Sequence, residues 1–201
     1  MVYSDSHKFV YLCTPKTAST TLLDVFTTQF GAKVYQGDDT RDRHDNRVPE
    51  RFAGYFTFAT VRHPYTRALS GYSYVSLGRD MPVDEAFRHF HLISQADYLY
   101  NHDLAITNRV PKTAKWEDFL APPTPRRIDA VLHTERLLWE LNALPFVSKP
   151  FATLPVYNRG KPEWRNPKMD DAVWEHLLRH HLDDFRLFGY EVERDVEPLL
   201  L

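Results

Sequence analysis

Residues 9–13 read Phe-Val-Tyr-Leu-Cys, an unbroken β-favouring apolar run, and residues 20–30 carry apolar side chains at helical spacing. Leu22, Val25, Phe26 and Phe30 fall on one helix face, and Gly31 marks its stop. A buried strand turning at once into an amphipathic helix is the repeating unit of α/β folds, so this stretch alone narrows the architecture. Between the two stands Thr14-Pro15-Lys16-Thr17-Ala18-Ser19-Thr20-Thr21. Such a turn aims several backbone N–H groups at one point, where the helix dipole adds about half a positive charge. Lys16 supplies a full charge, Thr17, Ser19, Thr20 and Thr21 supply hydroxyl donors, and the small residues, Ala18 among them, permit close approach. The pattern predicts a pocket for a phosphate-like or sulfate-like group. A helix merely capped by Ser19 or Thr20 accounts for one hydroxyl and leaves Lys16 unexplained. The turn holds no glycine and is therefore not a Walker loop, which disfavours an ordinary ATP or GTP enzyme.

The rest of the chain continues the alternation. Lys33 to Gln36 reads as a short second strand, residues 37–51 as a charged exposed loop, and Tyr55 to Val61 as the next strand. Pro64 suits the first turn of a helix running to about Leu77. Residues 83–103 look helical, 121–127 form a proline-rich linker, and Ile128 to His133 reads as a late strand. Thr134 is placed to cap the next helix, residues 145–167 read as a long irregular loop, and a last helix runs from about Asp170 to Phe188. Strands alternating with helices predict an α/β chain, a single domain over residues 1–201 with a central parallel sheet flanked by helices in three P-loop-like layers. In such folds ligands sit beyond the carboxyl ends of the strands.

A second motif lies at such an end. In residues 55–75 a strand is followed by Arg62 and then a helix, with Ser70 about two turns along it. Arginine suits a phosphate because its planar fork makes two charge-assisted hydrogen bonds. Arg67, inside the helix, is expected to form an intrahelical or surface ion pair.

Bulk properties restrict the partners. A formal net charge of −2 argues against a general nucleic-acid binder, so any anion must be met by a local site. No stretch approaches the ~20 apolar residues of a membrane span, and no basic segment followed by an apolar one marks a signal peptide. The single Cys13 forms no intrachain disulfide and is expected in the core, which fits a reducing, cytoplasmic setting. Among ten histidines, His176 and His180 stand four apart on the last helix, but no third ligand presents itself, so no metal site is expected.

The two motifs together resemble the PAPS-dependent sulfotransferases, particularly the carbohydrate sulfotransferase group. "TPKTASTTL" resembles their 5′-phosphosulfate loop and "FATVRHPYTRALSGY" their 3′-phosphate segment, while "SQADYL", "VLHTERL" and "DDFRLFGY" are similar to further family segments. The resemblance runs from about residue 8 to 190 and implies that the chain transfers the sulfuryl group of 3′-phosphoadenosine-5′-phosphosulfate (PAPS) to an acceptor hydroxyl, expected on a saccharide. It implies that Lys16, Thr17, Ala18, Ser19, Thr20 and Thr21 bind the 5′-phosphosulfate, with Lys16 also meeting charge on the leaving oxygen. Arg62 and Ser70 would hold the 3′-phosphate, and Arg159, Gly160 and Lys161 would close over it. The family places a base between the two motifs; His44 in "RHDN" is the choice here, with Asp42 and Asp45 in reserve. Two other readings stay open: a P-loop-like nucleotide phosphotransferase, and a non-catalytic binder of PAP, the desulfated donor, on the same fold.

Overall fold

Phe9–Leu12 is buried on both faces, which is why it reads as a continuous apolar run instead of an alternating one. This strand, β2, is the middle of a five-stranded sheet in a computed structural model that describes residues 1–35, 43–79, 92–104, 116–157 and 171–192. With β1 (Val2–Ser4), β3 (Lys33–Val34), β4 (Phe56–Val61) and β7 (Ala130–His133), the order is β3-β1-β2-β4-β7. β2, β4 and β7 run parallel, whereas β1 is antiparallel to both β2 and β3. The expected parallel sheet is therefore parallel at its core with an antiparallel edge. Strand β1 escaped the sequence reading because its three residues, Val-Tyr-Ser, are too few to show a period.

Helices cover both faces of the sheet. On one, α1 (Ser19–Phe30) and α3 (Leu137–Asn142) pack over Phe9, Tyr11 and Phe58. Phe9 lies in ring contact with Phe26, Phe58 and Phe146, with centroids 5.3, 5.7 and 4.4 Å away. On the other face Val10, Leu12, Ala59 and Val61 meet Phe52, Tyr98, Leu99, Leu104 and Phe188. Helix α2 (Pro64–Arg79), opened by Pro64 as expected, buries Tyr65, Ala68, Leu69 and Tyr72 against Leu177 and Phe185 of α4 (Asp171–Leu187). A two-stranded ribbon pairs β5 (Asp103–Leu104) with β6 (Leu120–Ala121).

Several local expectations change. Within 83–103, residues 92–94 are irregular and Asp97–Asn101 forms a π-helical turn; 80–91 lie outside the described residues. The residue in the N-cap position of α1 is Ala18, in the left-handed conformation and without a side-chain cap, not Ser19 or Thr20. Thr134 does not cap: its buried hydroxyl has no hydrogen-bond partner, and the chain passes through a 3-10 turn, Thr134–Arg136, before α3. The Glu140 carboxylate instead takes the His133 N–H at the end of β7.

Candidate active site

The register pairs Leu12 of β2 with Ala59 of β4, so the chain reaches Lys16 and Arg62 a few residues beyond neighbouring parallel strands, about 4.8 Å apart. Both motifs thus open on one edge. Lys16 and Ala18 both have positive φ, 68° and 61°. Non-glycine residues take that region at roughly 1–2 kcal/mol each. Here it turns the chain tightly into α1, whose first intrahelical bond runs from Leu22 N–H to Ala18 C=O. The N–H groups that precede it have no side-chain cap, which is the arrangement that receives an anion.

The hydroxyls of the turn divide. Thr17 Oγ1 donates to Thr14 C=O at 2.8 Å and meets Thr60 Oγ1 at 2.6 Å, and Thr60 in turn meets the Tyr11 hydroxyl at 2.8 Å. Thr17 therefore ties the turn to the core and offers an anion only its backbone. Thr21 donates to Pro155 C=O at 3.1 Å, holding the 145–157 segment against α1. Thr20 accepts from Arg43 Nη2 at 3.5 Å, and Ser19 makes no hydrogen bond through its hydroxyl among the described residues.

Four cations converge here. Lys16 Nζ lies 4.4 Å from the centre of the Tyr74 ring. Burial, followed by the charges of Arg62, Arg43 and Arg67, lowers its pKa to about 8. Like charges gathered this closely disfavour one another's charged forms, and an anion joining them relieves that cost. Arg62 is held by its backbone: its N–H donates to Gln95 Oε1 at 2.7 Å and its C=O accepts from Gln95 Nε2 at 2.8 Å. Its Nε donates to Thr66 at 3.0 Å. Thr66 and Ser70 stand four apart on α2 and share a face, so Arg62, Thr66 and Ser70 line one approach. No direct Arg62–Ser70 bond occurs among the described residues. Burial lowers the Arg62 pKa, with Glu135 opposing it.

His44 comes to the same edge. Its Nδ1 lies 2.6 Å from Cys13 C=O, at the end of β2. A carbonyl only accepts, so Nδ1 carries a proton, and in the neutral ring Nε2 holds the lone pair. Arg43 Nε approaches that nitrogen at 3.4 Å. Asp45 is otherwise engaged, its two oxygens taking Arg47 Nε and Nη2 at 3.1 and 2.9 Å. His63 turns away from the edge, towards Phe185, Tyr190 and Glu191 C=O.

The Sulfotransferase family model matches residues 1–120, which include both motifs. The chain belongs to the Sulfotransferase family. No curated protein and no solved structure matches it. It is accordingly a sulfotransferase, an enzyme that moves a sulfuryl group onto an acceptor bearing a hydroxyl; enzymes of this family generally use PAPS.

Within the sulfotransferase, Lys16 to Thr21, His44 and Arg62 lie beyond the carboxyl ends of β2 and β4, with Ser70 about two turns into α2. Arg159, Gly160, Lys161 and Asp42 lie outside the described residues. Arg67 departs from expectation: it is wholly buried and is no surface pair. Sequence reasoning also missed Gly71. A methyl there would sit 3.2 Å from Leu92, tighter than an ordinary contact, and at ordinary contact distance, 3.9 Å, from Cγ of Lys16, so the glycine makes room for Leu92. Its visible signal was a glycine inside a helix, a position that normally lowers stability by about 1 kcal/mol. Leu92 also borders a cavity of about 160 Å3 lined by Tyr72, Asp97, Trp116, Glu117 and His180. No group of three or more metal-ligating side chains occurs among the described residues, and none of their helices is long and apolar enough to cross a membrane.

Proposed function

We propose that this sulfotransferase takes PAPS as donor and transfers its sulfuryl group to a saccharide hydroxyl. The observation that carries the reading is the cationic edge: Lys16, Arg43 and Arg62 around an uncapped helix N-terminus, with one group of cations at each of two parallel strand ends. That spacing suits a ligand with two separate anionic groups. The 5′-phosphosulfate fits the Lys16–Thr21 turn through its backbone N–H groups and Ser19, and the 3′-phosphate fits Arg62 with Ser70. Arg159, Gly160 and Lys161 are proposed, on resemblance alone, to close over the 3′-phosphate.

The chemistry then follows. His44 Nε2 takes the acceptor proton as the acceptor oxygen attacks sulfur in line. The bond from sulfur to the oxygen that bridges it to the 5′-phosphorus breaks, and the electron pair leaves on PAP. Lys16 stabilises the charge that grows on that oxygen, an interaction stronger in the transition state than before it. The saccharide acceptor is proposed on the resemblance of the two motifs to those of the carbohydrate sulfotransferases. The reading treats residues 1–201 as one catalytic domain, supported by the packing of α4 on α2, and places it in a reducing compartment on the strength of buried Cys13.

The deciding experiment incubates the protein with PAPS labelled on sulfur and a panel of saccharides, lipid-linked sugars and small hydroxylated metabolites. Label transferred to saccharides supports the reading. Transfer confined to another class replaces the acceptor, and calorimetry showing no preference for PAP over adenosine 5′-phosphate removes the donor.

A further inference from the structure

Asp184 is buried to 0% exposure, far along the sequence from either motif, yet it sits between them. Its Oδ1 accepts the Ala96 N–H at 2.7 Å and its Oδ2 accepts the Gln95 N–H at 2.9 Å. The side chain of the same Gln95 grips Arg62 on both its N–H and its C=O. On the other side, Asp184 Oδ2 lies 3.9 Å from Nη1 of Arg67, whose Nε donates to Pro15 C=O at 2.9 Å. Pro15 precedes Lys16. One carboxylate is therefore joined by short chains to the 5′ turn and to the 3′ arginine. His181, one turn earlier on α4, meets Oδ2 through Nδ1 at 3.1 Å.

We propose that Asp184 is the positioning residue that locks the Lys16 turn and Arg62 into one rigid two-point receptor, through Arg67 on one arm and Gln95 on the other.

Three observations support this role. Arg67 is wholly buried, and among the described residues its Nη1 and Nη2 have no hydrogen-bond partner, so its charge is answered at longer range by Asp184. A buried arginine kept under those conditions is costly, and it is retained here where it reaches the backbone beside the catalytic lysine. Burial would raise the Asp184 pKa, but the hydrogen bond and charge of His181, the charge of Arg67 and the Gln95 N–H outweigh it and keep the group ionised. The turn that the brace holds also carries two strained residues, Lys16 and Ala18, which a looser support would let relax. The segments "SQADYL" and "DDFRLFGY", which the two motifs leave unexplained, supply the two halves of this brace.

The proposal rests on assigning Lys16 and Arg62 to the two anionic groups of PAPS, so the test includes a measurement that needs no ligand. Amide exchange by mass spectrometry compares wild type with Asp184→Asn over residues 14–21, 58–65 and, as reference, 2–12. Exchange is expected to rise about ten-fold over the first two segments and little over the third. Uniform acceleration of all three, as global destabilisation gives, overturns the proposal. On ligands, Asp184→Asn should weaken PAP about ten-fold and lower kcat as well; a variant that leaves both unchanged also overturns it. If Asp184→Asn does not fold, the single arms are cut separately. Gln95→Leu should erode the preference for PAP over adenosine 5′-phosphate and spare kcat at saturation. Arg67→Lys should lower kcat and spare that preference. Equal effects of both variants on both quantities defeat the two-arm brace. A wild-type protein with no preference for PAP removes the ligand assignment, and the brace then stands or falls on exchange.

Discussion

The turn after β2 and the turn after β4 leave the same edge of the sheet, yet they hold their cations by different means. At Lys16 the receptor is mostly backbone: positive φ, an uncapped helix start, and hydroxyls of which Thr17 and Thr21 point into structure. At Arg62 the receptor is a side chain on a stiff strand end, its backbone doubly gripped by Gln95. Under the proposed assignment, the difference suits the two charges that the turns would face. A group whose charge changes during reaction needs a responsive cation, and Lys16, with a pKa brought to about 8, is one. A 3′-phosphate that keeps its charge throughout needs only an anchor, and guanidinium never loses its proton in ordinary water.

The comparison is sharpened most by removing one cation from each side. Lys16→Ala should lower kcat by on the order of 100-fold with a smaller change in PAP affinity, as loss of a preorganised donor does. Stopped turnover with unchanged binding separates it from an anchor; a rise in KM alone would erase the contrast with Arg62. His44→Ala should also lose about 100-fold in kcat, within the range for acid–base catalysis, and leave PAP titration near wild type. Near-normal kcat there, with a dead Asp42→Asn or Asp45→Asn, would move the base to a carboxylate. Arg62→Ala should weaken PAP about ten-fold while barely changing adenosine 5′-phosphate, because a charge-assisted pair contributes roughly 1.5–3 kcal/mol. Calorimetry showing equal losses for both ligands would make the two turns equivalent.

A pH series probes the same asymmetry. Free Lys16 titrates near 8 because of burial and then the charges of Arg62, Arg43 and Arg67. Only its protonated form favours an anion, so kcat/KM for PAPS should fall above that pH, by roughly ten-fold at one unit beyond. PAP binding near pH 8 should take up protons, seen as a buffer-dependent heat. Lys16→Arg should abolish both effects, and a fall that persists in that variant assigns the titration elsewhere. The smallest effect concerns strain. Ala18→Gly relieves a left-handed alanine but adds unfolded-chain freedom, so thermal unfolding should rise by less than about 1 kcal/mol equivalent.

Much of the architecture could be read locally. Phe9 to Cys13 announces a buried strand, Pro64 opens α2 and Gly31 closes α1, because each depends on near neighbours or on the backbone preference of a single residue. Lys16 and Arg62 were visible for the same reason: each follows a strong strand, and strand ends are where such folds bind ligands. Other features depend on contacts across the chain. That Thr17 faces inward follows from Thr60, 43 residues away. That Arg67 is a brace, not a surface charge, follows from Asp184 and from Pro15 C=O, neither of them near it in sequence. Gly71 looks like a helix defect until Leu92 is seen against it. The sequence by itself determined the longer buried strands, the helices that follow them and where cations cluster along the chain, since hydrophobic period and turn chemistry act over a few residues. Only the tertiary structure decided which polar groups face the ligand edge and which hold that edge in place, since burial and hydrogen-bond partners arise when distant segments meet.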